Sequence, residues 1–294
     1  TEAMSAVLGG IDSLTVLGYD DVFNAPNEFA ERIARNQQLL LKEESHFDKV
    51  VDPAAGSYYL EILTEEIAQQ AWKLFLEIEN EGGFLEAIYA SKVQKAIKAT
   101  ASYRMKNISN RKEILVGTNQ YPNFNETASE KLVNCPQCDM NNQSIEIETL
   151  PPVRAAVEFE ALRLPTEHAA KRPRAFMLTI GNLAMRVARS QFSCNFFACA
   201  GYEVIDNVGF DTVEEGVQAA LETKADIVVL CSSDEEYAQF APAAYQLIKD
   251  KAIFVVAGAP ACMDDLKAQG IENFISVKSN VLETLKSFNE KLGI

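Results

Sequence analysis

The sequence predicts an α/β protein whose C-terminal part is a five-stranded parallel sheet of flavodoxin type. Between residues 173 and 294, five short apolar runs alternate with five amphipathic stretches, the pattern of repeated βα units. Units alternating in this way imply a parallel sheet covered on both faces, with right-handed crossovers. Residues 1 to 112 differ. They carry helical periodicity and too few strand candidates to build a sheet of their own.

Taken in order, Pro26 and Asn27 open a helix with Phe29, Ile33, Leu40 and Leu41 at helical spacing. Asp52 to Ser57 reads as a turn. Thr64 then reads as an N-cap, because Glu65 and Glu66 follow it and acids favour the positive end of a helix. That helix carries Ile67, Ala71, Leu74, Phe75 and Ile78 as a stripe, and Gly82-Gly83 stops it. A further helix is expected from Phe84 to Met105. The strand candidates are Ser13 to Leu17, Tyr58 to Glu61 and Ile114 to Val116. Residues 113–172 read as a linker rich in Asn, Pro, Gln and Thr, with one helix at Val153 to Leu164. A connection that long is usually functional or wraps something. In the last domain, 173–294, strands are expected at 175–180, 202–206, 226–231, 252–257 and 273–277. Helices are expected at 184–200, 212–223, 235–249, 261–269 and 279–292.

Composition narrows the function classes. At 294 residues and 48% hydrophobic, the chain can bury sizeable cores. A net charge of −15 argues against nucleic acid and anionic membrane as partners, since both reward a positive face. No apolar run approaches the ~20 residues of a membrane span. The start, Thr1-Glu2-Ala3-Met4, lacks the regions of a signal peptide, and the missing initiator Met is expected of a chain that begins inside a longer protein. Cys194, Cys199, Cys231 and Cys262 sit in or beside apolar segments, where reduced Cys acts as a small hydrophobe; the reading is cytoplasmic.

In an open α/β sheet, ligands are held in the crevice at the C-terminal ends of the strands. Here that crevice is lined by Gly181 to Arg186, Val208 to Phe210, Ser232 to Asp234, Gly258 to Pro260 and Val277 to Ser279. Gly258, Ser232 and Ser233 suit a ligand, and suit equally well as turn and cap residues. The first loop carries no acid, histidine or cysteine, and Gly181 is its one glycine. A phosphoacceptor receiver needs clustered Asp at the first and third strand ends, and neither end has it. Cys135 and Cys138 form a CxxC, but a structural zinc needs four ligands and no second pair lies nearby, so two free thiols are the simpler reading. His46 follows Glu43-Glu44-Ser45 near a helix end, where a cation suits the dipole. Asp234-Glu235-Glu236 reads as the first turn of a helix.

Ala3 to Gly10, Ile33 to Leu39, Glu43 to His46 and above all Val50-Val51-Asp52-Pro53-Ala54-Ala55-Gly56-Ser57-Tyr58-Tyr59 are similar to the last part of the catalytic barrel of the methylmalonyl-CoA mutase family. The five-unit domain is similar to its B12-binding domain. The resemblance covers nearly the whole chain. It implies the C-terminal part of a (β/α)8 barrel at 1–112, a wrapping linker, and a flavodoxin-like domain of cobalamin-binding type.

Departures from the family pattern then direct the functional expectation. The resemblance implies Asp-x-His-x-x-Gly in the first crevice loop, where His ligates cobalt, Asp orients it, and Gly admits the nucleotide tail. Aligned through Gly181, those positions hold Leu183, Met185 and Ala188. The only histidines are His46 and His168, so the last domain has none to substitute. The family's Ser-x-Leu falls at Ser232-Ser233, and its Gly-Gly becomes Gly258-Ala259. In the barrel, Gln-Ser-Leu-His-Thr-Asn becomes Asp12-Ser13-Leu14-Thr15-Val16-Leu17, an apolar face in place of a polar one. Leu183 to Arg186 and Asn195 to Tyr202 resemble the family's small subunit, the cofactor-free partner of a large catalytic chain.

The resemblance therefore implies a non-catalytic chain inactive by itself, no metal and no cofactor in this crevice, and adenosylcobalamin on the large partner. The residues at Gly181, Leu183, Met185, Ala188, Ser232, Ser233, Gly258 and Ala259 would be a vestigial crevice. Two other readings stay open at this point: a competent cobalamin-binding chain with a histidine-free site, and a stand-alone α/β module for another small ligand. A partial barrel cannot close its sheet edges, so an apolar surface near Leu8 to Leu17 and self-association are also expected.

Overall fold

The computed structural model describes residues 1–128, 147–150 and 153–294. The chain divides into two compact units, one built on Thr1–Ala99 and the other running from Thr100, with Val153–Ile294 as its bulk.

In the second unit the five strands are β1 (Arg174–Thr179), β2 (Glu203–Ile205), β3 (Ile227–Cys231), β4 (Ile253–Ala257) and β5 (Asn273–Ile275). They pair in parallel in the order β2-β1-β3-β4-β5. This is the flavodoxin-like order, and the chain reverses direction across the sheet between β1 and β3. The helices are α7 (Leu183–Ala198), α8 (Val213–Glu222), α9 (Tyr237–Ile248), α10 (Met263–Ala268) and α11 (Val281–Leu292). Each strand and helix falls where the apolar runs place it, within a few residues at the ends.

Strand side chains alternate between two cores, as a pleat requires. Met177, Val229 and Val255 face one side, against Phe196 and Phe197 of α7 and Leu285 and Phe288 of α11. Phe176, Leu178, Leu230 and Val256 face the other, against Val217 of α8 and Ala241 and Ile248 of α9. Every residue of β3 is buried, which is why its run is apolar throughout. Burial also quenches the thiols. Lost solvation pushes Cys194 up to about 12 and raises Cys231, while Asp206 adds repulsion at both. A thiol reagent at neutral pH is therefore expected to leave both unlabelled in the folded chain and to label them after unfolding. Fast labelling of the folded chain at either position would contradict this.

A strap completes this unit. Arg111, with φ of 57°, donates to the backbone oxygen of Asn119 and to the side chain of Asn195 on α7, and its guanidinium lies 5.4 Å from the Phe196 ring centre. Asn119 is fully buried, and its amide serves Leu115 N–H, Ile108 C=O and Glu113 C=O. The helix expected at Val153 to Leu164 is present as α6 (Val157–His168), with Phe159 and Leu162 in the core and Asn289 of α11 donating to Leu162 C=O.

The first unit is helical, and its arrangement is consistent with the end of a mutase barrel and the helices after it. It comprises α1 (Glu2–Leu8), α2 (Glu28–Leu39), α3 (Tyr58–Asn80), α4 (Phe84–Tyr89) and the start of α5 (Lys92–Ser109). Asn27 caps α2 by accepting from Ala30 N–H at 2.9 Å. Three local expectations are corrected. First, α3 begins at Tyr58, not Thr64. Gly56 turns the chain with φ of 77°, Ser57 is the N-cap, and Glu61 reaches back to accept from Gly56 N–H, a one-sided closure of the helix start that outweighs the aromatic strand propensity of Tyr58-Tyr59. Second, the helix expected from Phe84 to Met105 is two helices, broken at Ser91 with φ of 57°. Third, neither Ser13 to Leu17 nor Ile114 to Val116 forms a strand, the latter making only a bridge from Val116 to Gln120.

Exposure in this unit is unusual. No residue of the 23-residue α3 is buried, with Ile67 at 61%, Trp72 at 61% and Leu74 at 58% exposed. The apolar surface expected near Leu8 to Leu17 is present at Ile11 and Leu17, and α3 exposes apolar side chains of its own.

Candidate functional site

The loops after β1, β2, β3 and β4 meet at the C-terminal edge of the sheet. The reversal between β1 and β3 opens a crevice there, because the two crossovers leave in opposite directions. The structure brings together four of the eight residues singled out from sequence: Gly181, Ser232, Ser233 and Gly258. The first three surround a side chain of the same protein, while Gly258 lies against Asp234 and Tyr237.

Glu236 precedes α9 directly, and its carboxylate turns back into the crevice. Its Oε2 accepts from Ser232 Oγ at 2.7 Å, from Ser233 Oγ at 2.8 Å, from Ser233 N–H at 3.3 Å and from Asn182 N–H at 3.1 Å. It thus joins the loop after β3 to the loop after β1. Gly181 has φ of 79°, and a Cβ there would collide with this carboxylate. The glycine therefore admits Glu236, a close approach by the chain to itself. The Ser232 hydroxyl, then the Asn182 and Ser233 donors, hold the carboxyl down at about 2 against an ordinary 4.5, outweighing partial desolvation.

Two arginines on α7 extend the stitching. Arg186 donates to Gly181 C=O at 3.3 Å and to Val208 C=O at 3.1 Å, and lies across Gly209, which has φ of 121°. The first and second loops are joined by it. Arg189 pairs with Asp234 at 2.9 Å, and Asp234 lies close against Gly258. The buried Tyr237 hydroxyl accepts from Ser232 N–H and donates to Ala257 C=O at 2.6 Å, linking the ends of β3 and β4.

The remaining candidates stand apart. Leu183 is 64% exposed at the start of α7, Met185 is 37% exposed with its N–H capped by Asn182, and Ala188 and Ala259 are exposed. None offers a carboxylate, imidazole or thiolate. Among the described residues, no group of three or more His, Cys, Asp or Glu is placed to hold a metal ion. Cys135 and Cys138 lie outside the described residues. Among the described residues, too, no helix is long and apolar enough to cross a membrane.

Sequence reading placed Arg186 on the crevice wall without a role and missed Arg189 and the part played by Glu236. Glu236 belongs to an acid run that looks like a helix first turn. The spacing Ser233-x-x-Glu236 was the available signal, since a Glu three residues after Ser commonly folds back on the Ser N–H.

A family model for methylmalonyl-CoA mutase matches residues 1–188. The chain is 60% identical over 294 residues to the methylmalonyl-CoA mutase small subunit of Porphyromonas gingivalis, covering 100% of this chain and 48% of that protein. It is 33% identical over 298 residues to the methylmalonyl-CoA mutase small subunit of Streptomyces virginiae, covering 99% of this chain and 46% of the relative. It is 46% identical over 125 residues to the methylmalonyl-CoA mutase of Rhizobium meliloti, covering 42% of this chain and 18% of that one. The chain spans about half the length of the small subunits it matches. With the flavodoxin-like order of its sheet and a match over residues 1–188, the chain belongs to the methylmalonyl-CoA mutase family.

Proposed function

We propose that this chain is the non-catalytic small subunit of a two-chain, cytoplasmic methylmalonyl-CoA mutase. The large partner carries adenosylcobalamin and interconverts methylmalonyl-CoA and succinyl-CoA. This chain serves that partner structurally, with residues 113–172 as a wrapping linker between its barrel portion (1–112) and its flavodoxin-like domain (173–294). One observation carries the reading. The crevice has no histidine to ligate cobalt, and the Glu236 carboxylate takes the space beside Gly181. A corrinoid does not fit such a site. Leu183, Met185 and Ala188 supply neither an imidazole nor a ligand-orienting acid, Met185 offering only a thioether, and the space beside Gly181 is taken. The small-subunit names of the relatives support the same reading. The cobalamin chemistry is assigned to the cofactor on the other chain.

The test is a titration of the purified chain with adenosylcobalamin, followed by its visible spectrum. The expected result is no saturable change. Stoichiometric tight binding would favour a competent chain with a histidine-free site and overturn the proposal. Co-expression with a large mutase chain is expected to yield a stable complex with one copy of each. Absence of any complex would point instead to a stand-alone binding module.

A further inference from the structure

We propose that Glu236 is a latch that closes the ligand crevice from inside, holding the loops after β1 and β3 together in place of a bound molecule. The inference rests on the proposed cofactor-free role and deepens it: the crevice is closed by a built-in occupant.

The donors make the case. Two backbone N–H groups, of Asn182 and Ser233, and two hydroxyls, of Ser232 and Ser233, converge on one carboxylate. Such donors from separate loops are what an open α/β sheet offers a ligand at its switch point. Left without an acceptor they would splay apart or take up water, and the loops would loosen. Glu236 satisfies them intramolecularly, with no association entropy to offset. Its position explains three features together: Gly181 at positive φ, Ser232 and Ser233.

The charged groups around the latch are Arg186 and Arg189 on α7 and Asp234 and Glu235 on its own loop. Arg186 is engaged with Gly181 and Val208 carbonyls, and Arg189 with Asp234. The carboxylate is therefore held by neutral donors, and its protonation would release the loops. A group held below its unfolded value stabilises the fold above that value and loses the contribution as pH falls through it. Here the window opens near 4.5 and runs down toward about 2.

The test is chemical rescue in the full chain. Glu236→Ala is expected to lower the melting temperature by about 3–6 °C. It is also expected to speed amide exchange in peptides covering the loops after β1 and β3, leaving β4 and β5 unchanged. Sodium acetate, as an external carboxylate, should restore both readouts in the variant but not alter wild type, with sodium chloride at equal ionic strength as control. Glu236→Gln keeps one acceptor oxygen and is the fallback if the alanine variant does not fold. It should melt below wild type near neutral pH, with the gap shrinking as pH falls below 4.5. Unchanged melting and exchange in Glu236→Ala would overturn the latch. So would acetate acting no better than chloride, or a Glu236→Gln gap that is absent or independent of pH. Each readout is independent of cobalamin and of a partner chain, so the latch can fail while the subunit assignment stands, and the reverse.

Discussion

Replacing Asn119 by leucine is expected to destabilise the C-terminal unit by about 3–5 kcal/mol. The side chain is fully buried and meets three backbone groups, Leu115 N–H at 2.8 Å, Ile108 C=O at 2.8 Å and Glu113 C=O at 2.9 Å. Leucine matches asparagine in side-chain heavy atoms but is bulkier and apolar, so overpacking of a fully buried site adds to the polar loss. Two backbone groups, Leu115 N–H and Glu113 C=O, would lose this partner, each at a cost of about 1–3 kcal/mol before relaxation, while Ile108 C=O keeps the Arg111 N–H. The effect should spread, because Asn119 C=O also receives Arg111, which fixes the strap to α7. Urea denaturation followed by far-UV circular dichroism should show a lower midpoint at unchanged slope. Gln218→Ala, which breaks only an exposed contact with Glu222, is the control and should stay within about 0.5 kcal/mol of wild type. A leucine variant as stable as that control would show that the strap contributes nothing.

The second large effect is on association. A helix of 23 residues that buries none of them presents Leu60, Leu63, Ile67, Trp72, Leu74 and Phe75 to solvent at 40% exposure or more. Contiguous apolar surface beyond a few hundred Å² marks an interaction site on a protein surface. At about 25 cal/mol per Å², covering such a helix is worth several kcal/mol. The chain as given is therefore expected to self-associate reversibly. Sedimentation velocity should show a weight-average coefficient that climbs with concentration. Ile67→Lys with Leu74→Lys should abolish most of the climb while leaving the C-terminal sheet folded. Concentration-independent sedimentation of the unmodified chain as a monomer would refute this expectation.

Much of the sheet domain was legible because a parallel strand buried on both faces leaves an unbroken apolar run. Ile227–Cys231 and Ile253–Ala257 can hardly be read otherwise. The N-terminal unit was less legible. There, local chemistry competes with propensity: Tyr58-Tyr59 favours a strand, but Gly56, Ser57 and Glu61 build a helix start around it. Asn119 sits in a stretch whose composition reads as linker, and nothing in one sequence separates an Asn in a solvated turn from one that organises a buried strap. The crevice was half legible. Its blank positions, Leu183, Met185 and Ala188, are visible by residue type. Its closure is not, because it depends on Glu236 leaving the helix it adjoins and crossing to Asn182, 54 positions earlier in the chain.

That crossing bears on how the domain could change over generations. Placing a histidine at Met185 is a single substitution, yet it would put an imidazole beside a crevice already occupied. Removing Glu236 first would strip four donors of their acceptor. Each step of that path alone is neutral or harmful, and only their combination is useful. On the proposed cofactor-free role, the carboxylate beside Gly181 would act as an evolutionary ratchet, letting the domain drift in sequence as a scaffold while making the gain of a ligand a multi-step event.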